Sequence, residues 1–166
     1  MRGSGMHRTC VATLGAAALL TAGCGGGDEG SSADKPLTKS QFIAQAGAIC
    51  RDVKKAHKPY AEQVGKLPRN VEIKRVAPIL EATLAESREG LARLRALQSP
   101  PADKAAIDAY YGAAEALLEA HSQLADAART NDRATGERVA ATTGALSADE
   151  RRLATAYGLK DCDNVF

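Results

Sequence analysis

From Phe42 onward, apolar residues recur every three or four positions, at Ala46, Ile49, Val53, Ala56, Tyr60, Val64 and Leu67. That is the period of one face of an amphipathic helix. The start of this helix is marked twice. Thr38-Lys39-Ser40-Gln41 has the spacing of a capping box, and Leu37 with Phe42 occupies the two positions of a hydrophobic staple. A second stripe runs through Ile73, Ala77, Leu80, Leu84, Ser87, Leu91 and Leu94, with Asn70 as its expected cap and Ser99-Pro100-Pro101 as its end. A third follows at Ile107, Tyr110, Ala114, Leu117, His121, Leu124 and Ala128, and stops at Thr130-Asn131-Asp132. The fourth, Val139, Thr143, Leu146, Leu153 and Tyr157, is weaker. Gly136 and Gly144 lower its helix propensity, and Ser147 to Glu150 reads as a capping box that could divide it. Gly158 suits a left-handed C-terminal cap, with Leu159 folding back as a Schellman contact. Four stripes joined by short turns predict an all-α fold, an antiparallel four-helix bundle of up-down-up-down topology.

Two prolines, Pro59 and Pro78, fall at matching distances from the first hairpin turn, so the pattern places a kink in each of the first two helices at one level. Aromatics make up only 4% of the chain and Trp is absent, which leaves Ala, Leu, Val and Ile to build the core. Tyr60, Tyr110, Tyr111 and Tyr157 are then its large members.

The stretch before these helices has a different composition. Arg2, His7 and Arg8 precede an apolar run from Val11 to Ala22, shorter than the roughly 20 residues of a spanning helix. The run ends in Leu20-Thr21-Ala22-Gly23-Cys24, which resembles the lipobox of bacterial lipoproteins, with Thr21 where Leu is commoner. This predicts a lipoprotein signal peptide over residues 1–23, removal of which leaves Cys24 carrying a diacylglycerol. A lipidated flexible linker over 24–36, rich in Gly, Ser and Asp, then leads to the helical domain at 37–166. Two acyl chains suffice for stable anchoring, so the expected location is the extracytoplasmic face of the cell membrane.

Removal of the leader changes the charge. The whole chain has 22 Lys and Arg against 20 Asp and Glu, and the leader takes Arg2 and Arg8 and no acid, so the mature part is formally neutral. A neutral domain has no global field to draw it to nucleic acid, which is excluded as a partner. The cysteines sort in the same way. Cys10 leaves with the leader and Cys24 is acylated, so Cys50 and Cys162 remain, and two thiols in an oxidising compartment predict one disulfide. In the expected topology Cys162 lies past the foot of the fourth helix and Cys50 roughly 15 Å up the first. The bridge is within reach of the intervening tail without being dictated by it.

The segments Gln41-Phe42-Ile43-Ala44-Gln45-Ala46 leading to Ile49-Cys50, and Ala156-Tyr157-Gly158-Leu159-Lys160-Asp161-Cys162, resemble small lipoproteins and secreted proteins of high-GC actinobacteria. Those share a Phe-Ile-Ala-x-Ala before an early Cys and a Tyr-Gly-Leu-x-x-Cys near the C-terminus. The resemblance spans nearly all of the mature chain. It implies an envelope location and the Cys50–Cys162 pairing, and it carries no activity, cofactor or catalytic residue.

No nucleophile elbow, phosphate loop, dinucleotide fingerprint or zinc-ligand spacing occurs in the sequence. His57 and His121 fall on or beside apolar stripes of the first and third helices, at similar heights, with Thr142 or Thr143 of the fourth at a comparable level. Two such imidazoles could form a metal-binding or pH-sensitive layer, although a histidine on an apolar stripe is more often a hydrogen-bonded core residue. Residues 51–75 carry Arg51, Lys54, Lys55, Lys58, Lys66, Arg69, Lys74 and Arg75 against three acids, a local charge of +5 at the hairpin tip. This tip could meet an anionic wall polymer or an acidic envelope protein, or could be no more than a solvated face. The sequence therefore predicts a non-enzymatic interaction or scaffold module of the envelope that uses no cofactor. The alternative is a small-ligand or metal-binding lipoprotein built on His57 and His121.

Overall fold

A computed structural model of the chain describes residues 35–68 and 71–166. The leader, Cys24 and most of the linker lie outside the described residues, as do Arg69 and Asn70.

Helix α1, Lys39–Gly65, begins where the capping box places it. The Thr38 hydroxyl accepts from the Gln41 amide at 3.3 Å, and the Gln41 side chain accepts from the Thr38 amide at 2.9 Å. Leu37 packs against the core and its amide bonds the Gln98 carbonyl at 3.0 Å, which ties this end to the loop that leaves the second helix. Helix α2 is Ala77–Arg95, α3 is Lys104–Thr130 and α4 is Arg133–Tyr157. Asn131, in the left-handed conformation at φ 57°, closes α3, and the Asp132 side chain accepts from the Thr135 amide at 3.0 Å to open α4. The fold is thus all-α, an up-down-up-down arrangement of four helices with no strand among the described residues.

The first hairpin departs from the sequence reading. The predicted second helix does not start at Asn70. The connection instead forms a short 3-10 turn, Ile73–Arg75, that packs on α3, and α2 begins at Ala77. Pro78 therefore sits in the first turn of a helix, where its missing amide costs no hydrogen bond. It is not an internal kink, and of the two prolines only Pro59 lies in a helix interior. The fourth helix is not divided at Ser147–Glu150 either, since α4 is continuous to Tyr157.

In the lower half, Phe42, Leu94, Ile107 and Tyr157 fill the foot, and Phe42 meets Tyr157 edge-on at 6.0 Å. The Tyr157 hydroxyl donates to Asp103 at 2.9 Å and the Tyr111 hydroxyl to the Leu94 carbonyl at 2.8 Å, so each phenol ends on a partner at a helix boundary. After Gly158, at φ 99°, the Leu159 amide reaches back to the Ala154 carbonyl at 2.8 Å, which is the Schellman closure the sequence predicts.

The chain then turns upward. Leu159, Cys162, Val165 and Phe166 are all buried in the common core. Helix α1 packs on α2 and on the 3-10 turn Lys160–Cys162, and makes little direct contact with α4. The C-terminal tail is thus the wedge that closes the fourth side of the bundle. Cys50 and Cys162 are joined, with Cα atoms 5.0 Å apart, and the bond fixes this wedge to α1. Arg51 pairs with Asp161 beside it.

The upper half is built differently. The stripe of α1 is buried only from Phe42 to Val53. Ala56, His57 and Tyr60 are half-buried, and Val64 is 45% exposed. The continuation of the apolar face to Leu67 therefore does not enter the core as the sequence reading expects. Helix α2 is also short, with 19 residues against 27 in α1 and in α3. Small side chains at Ala127, Ala128 and Gly136 let α3 and α4 approach closely, and a Cβ at Gly136 would stand 3.8 Å from that of Ala127. Short helix, leaning stripe and small residues together leave the upper interior open.

Candidate functional site

A cleft occupies that interior. Its upper part, about 330 Å³, is lined almost wholly by apolar groups, including Ile73, Val76, Ala128, Gly136 and Ala140, with Arg133 and Glu137 at the rim. Its lower part, about 180 Å³, lies between Thr83, Leu84, Ser87 and His121. Leu80 and Leu124 line both, so the two parts meet at a leucine waist. Apolar walls with a few converging polar groups are the usual form of a small-molecule site.

The polar groups are at the lower end. Ser87, 3% exposed on α2, lies 3.1 Å from His57 Nε2 on α1. Burial pushes the His57 imidazole below its ordinary range, and the Thr83 backbone and the Glu86 carboxylate oppose that shift. His121 on α3 is likewise lowered, first by burial and then by the nearness of His57. The sequence places these two histidines at one level, and the structure brings them together. The third member of the group is Ser87. It was legible as a stripe position on the second helix, but nothing in its spacing named it as a partner of His57.

Thr142 and Thr143 do not join the layer. Their hydroxyls donate to the Val139 carbonyl at 2.8 and 3.0 Å, one helical turn back in α4. Among the described residues no group of three or more His, Cys, Asp and Glu side chains is placed to hold a metal. Two imidazoles and a hydroxyl fall short of the three or four protein ligands of a stable zinc site, so the arrangement suits hydrogen bonding better than coordination.

A second polar group lies deeper. Glu150 on α4 is 0% exposed, and neither of its carboxyl oxygens has an aligned hydrogen-bond partner. The Tyr110 hydroxyl and the Asn164 amide lie close to it, with Asp163 on the tail and Lys54 on α1 as the nearest charges. Desolvation is the main cause that raises this carboxyl, to about 7. The sequence reading missed Glu150 by taking it for part of a capping box. The signal was the stripe itself: Leu146 and Leu153 are seven apart, and Glu150 fills the gap at helical spacing.

The basic residues of the hairpin tip remain outside. Lys54, Lys55, Lys58, Lys66, Lys74 and Arg75 are all exposed, and Lys74 pairs with Glu72 at 3.2 Å. Arg69 is beyond description here. No helix among the described residues is long and apolar enough to cross a membrane. Compared with family models, with curated proteins and with solved structures, the chain matches none.

Proposed function

We propose that this chain is a lipid-anchored, extracytoplasmic binding module that holds a small apolar molecule in the open upper half of its bundle. The anchor rests on the leader and on Cys24, which receives the diacylglycerol. The binding role rests on one observation, an apolar cleft that closes on Ser87 and His121, with His57 bonded to Ser87 behind it. A closed lower half with a tail wedge and a disulfide gives such a cleft a rigid floor, so that little ordering is needed when a ligand enters.

The Ser87–His57 pair has the spacing of a nucleophile and its base, yet binding is the better reading. Ser87 lies in the middle of α2, where the backbone amides are committed to helix bonds and cannot serve as oxyanion donors. The second hydrogen-bond partner of the imidazole is the Thr83 backbone, and the Glu86 carboxylate acts on it through charge alone. The reading is therefore non-enzymatic.

The test uses the full chain with Cys24→Ser, exported but unacylated, and 1-dodecanol as probe. The parent is expected to bind one equivalent by native mass spectrometry, and Leu124→Trp, which fills the waist, to lose it. Equal binding by the two chains, or none by the parent, would remove this function. A second reading, a scaffold that presents cations to an envelope partner, is favoured by the exposed Lys55, Lys58 and Lys66. Crosslinking in cells that recovers the same partner with and without Lys55→Gln, Lys58→Gln and Lys66→Gln would sink that one.

A further inference from the structure

We infer that the ligand is a single-chain fatty-acyl carboxylate, bound with its chain in the apolar cleft and its head at Ser87 and His121, with His57 behind Ser87; this rests on the binding role proposed above. Length and lining set the chain. From Ser87 up α2 to Ala77, and on through the turn to Ile73, is about 20 Å at the rises of α and 3-10 helices. That is the reach of an ordinary acyl chain in one extended strand, and the walls along it are Leu80, Val76, Leu124, Ala128 and Ile73. A branched or two-chain molecule would have to pass the leucine waist.

The head is set by what the lower end contains and what it lacks. Three hydrogen-bonding groups meet there, Ser87 on α2 and His121 on α3 in the lining and His57 on α1 behind Ser87. Two of them are bases that burial keeps neutral and that repel one another when protonated. The charged group that acts on them from the surrounding helices is Glu86 on α2, through His57, and no acid lines the lower part of the cleft. An entering carboxylate supplies the missing anion. It accepts from the Ser87 hydroxyl and an imidazole N–H, and its charge draws a proton from solvent onto the second imidazole. A neutral head gains the hydrogen bonds without the proton.

The experiment compares sodium dodecanoate with 1-dodecanol, both below micellar concentrations, on the full chain with Cys24→Ser. Calorimetry is run at pH 6 and pH 8, in buffers of differing ionisation enthalpy. The parent should bind dodecanoate with uptake of up to one proton, and more tightly at pH 6 than at pH 8 by about three- to tenfold. Dodecanol should bind with no proton linkage. His57→Gln and His121→Gln should each reduce the preference for dodecanoate over dodecanol and the proton uptake that accompanies dodecanoate. If a variant fails to fold, proton uptake by the parent still decides. Equal affinity for both probes with no uptake overturns the carboxylate and leaves the binding role standing. If neither probe binds the parent, both fall together.

Discussion

The Tyr110 hydroxyl and the Glu150 carboxyl lie side by side in the lower core, and no aligned hydrogen bond joins them. Both side chains are 0% exposed. A buried carboxyl without partners favours its neutral form, and Glu150 accordingly titrates near 7 instead of 4.5. Between those values the folded chain holds a proton that the unfolded chain has released. Stability therefore falls as pH rises through that window, and levels above it. At about 1.4 kcal/mol per unit, the effect is on the order of 3 kcal/mol. Glu150→Gln should be more stable than the parent at pH 8 by roughly that amount and close to it at pH 4.5. His57 and His121 act in the opposite direction, costing stability as pH falls below about 6.5, and comparing parent with variant at each pH cancels them. Denaturant unfolding of both chains at several pH values measures the difference. A gap that does not grow with pH would show that Glu150 is paired.

Tyr110 offers a separate check on the same pair. A buried hydroxyl with no partner is a desolvation cost, and removing it while keeping the ring should be neutral or stabilising by up to about 1 kcal/mol. Its ring packs on Phe166 at 6.5 Å and on Tyr111 at 5.9 Å, contacts that Tyr110→Phe retains. Thermal unfolding at pH 6 is the measurement. A loss of 1 kcal/mol or more would mean that the hydroxyl donates to Glu150 in solution.

Much of this architecture was legible in the sequence, and the omissions share a cause. The capping box at Thr38, the Schellman closure at Gly158 and the stripes of α3 are local signals, and each appears where the pattern puts it. The tail wedge was not legible, because Val165 and Phe166 follow no period and are buried by a chain reversal. The upper part of α1 keeps its apolar spacing and is nonetheless half out of the core. Amphipathic spacing identifies a face but not what covers it. The cleft follows from that difference together with the late start of α2, and neither is a property of any one stripe.

The disulfide should matter most through the tail. Cys50 and Cys162 close a separation of 112 residues, for which the chain-entropy account gives about 4.7 kcal/mol and measured losses run at about 2–5 kcal/mol. Reduction should also release the wedge, since the Lys160–Cys162 turn packs on α1 and α4, Val165 and Phe166 are buried in the core beyond it, and the bond fixes this segment to α1. Hydrogen exchange with and without reductant is expected to show the 159–166 amides and those of Ala46 to Val53 losing protection before α3 does. Uniform loss across all four helices would mean that the tail is no separate unit.

Two glycines with opposite surroundings give the sharpest test of the packing. Gly90 on α2 faces Val53 on α1 so closely that an added Cβ would collide with its Cγ2 methyl, and Phe166 Cε1 would lie 3.7 Å away. Val53 is β-branched and 3% exposed, so it cannot swing aside. Gly112 in the middle of α3 has nothing within 4 Å of the same position. Helix propensity favours alanine by up to about 1 kcal/mol at either site. Only at Gly112 is that gain free of steric cost, so Gly112→Ala should stabilise the chain by about 0.5–1 kcal/mol. Gly90→Ala must push α1 and α2 apart against the tail, and overpacking of this kind costs about 1–3 kcal/mol. The loss should be partly recovered by Val53→Ala, which removes the colliding methyl. Denaturant midpoints of the two single variants and the double measure all three. If Gly90→Ala proves as benign as Gly112→Ala, α1 and α2 do not approach as closely as the wedge arrangement requires.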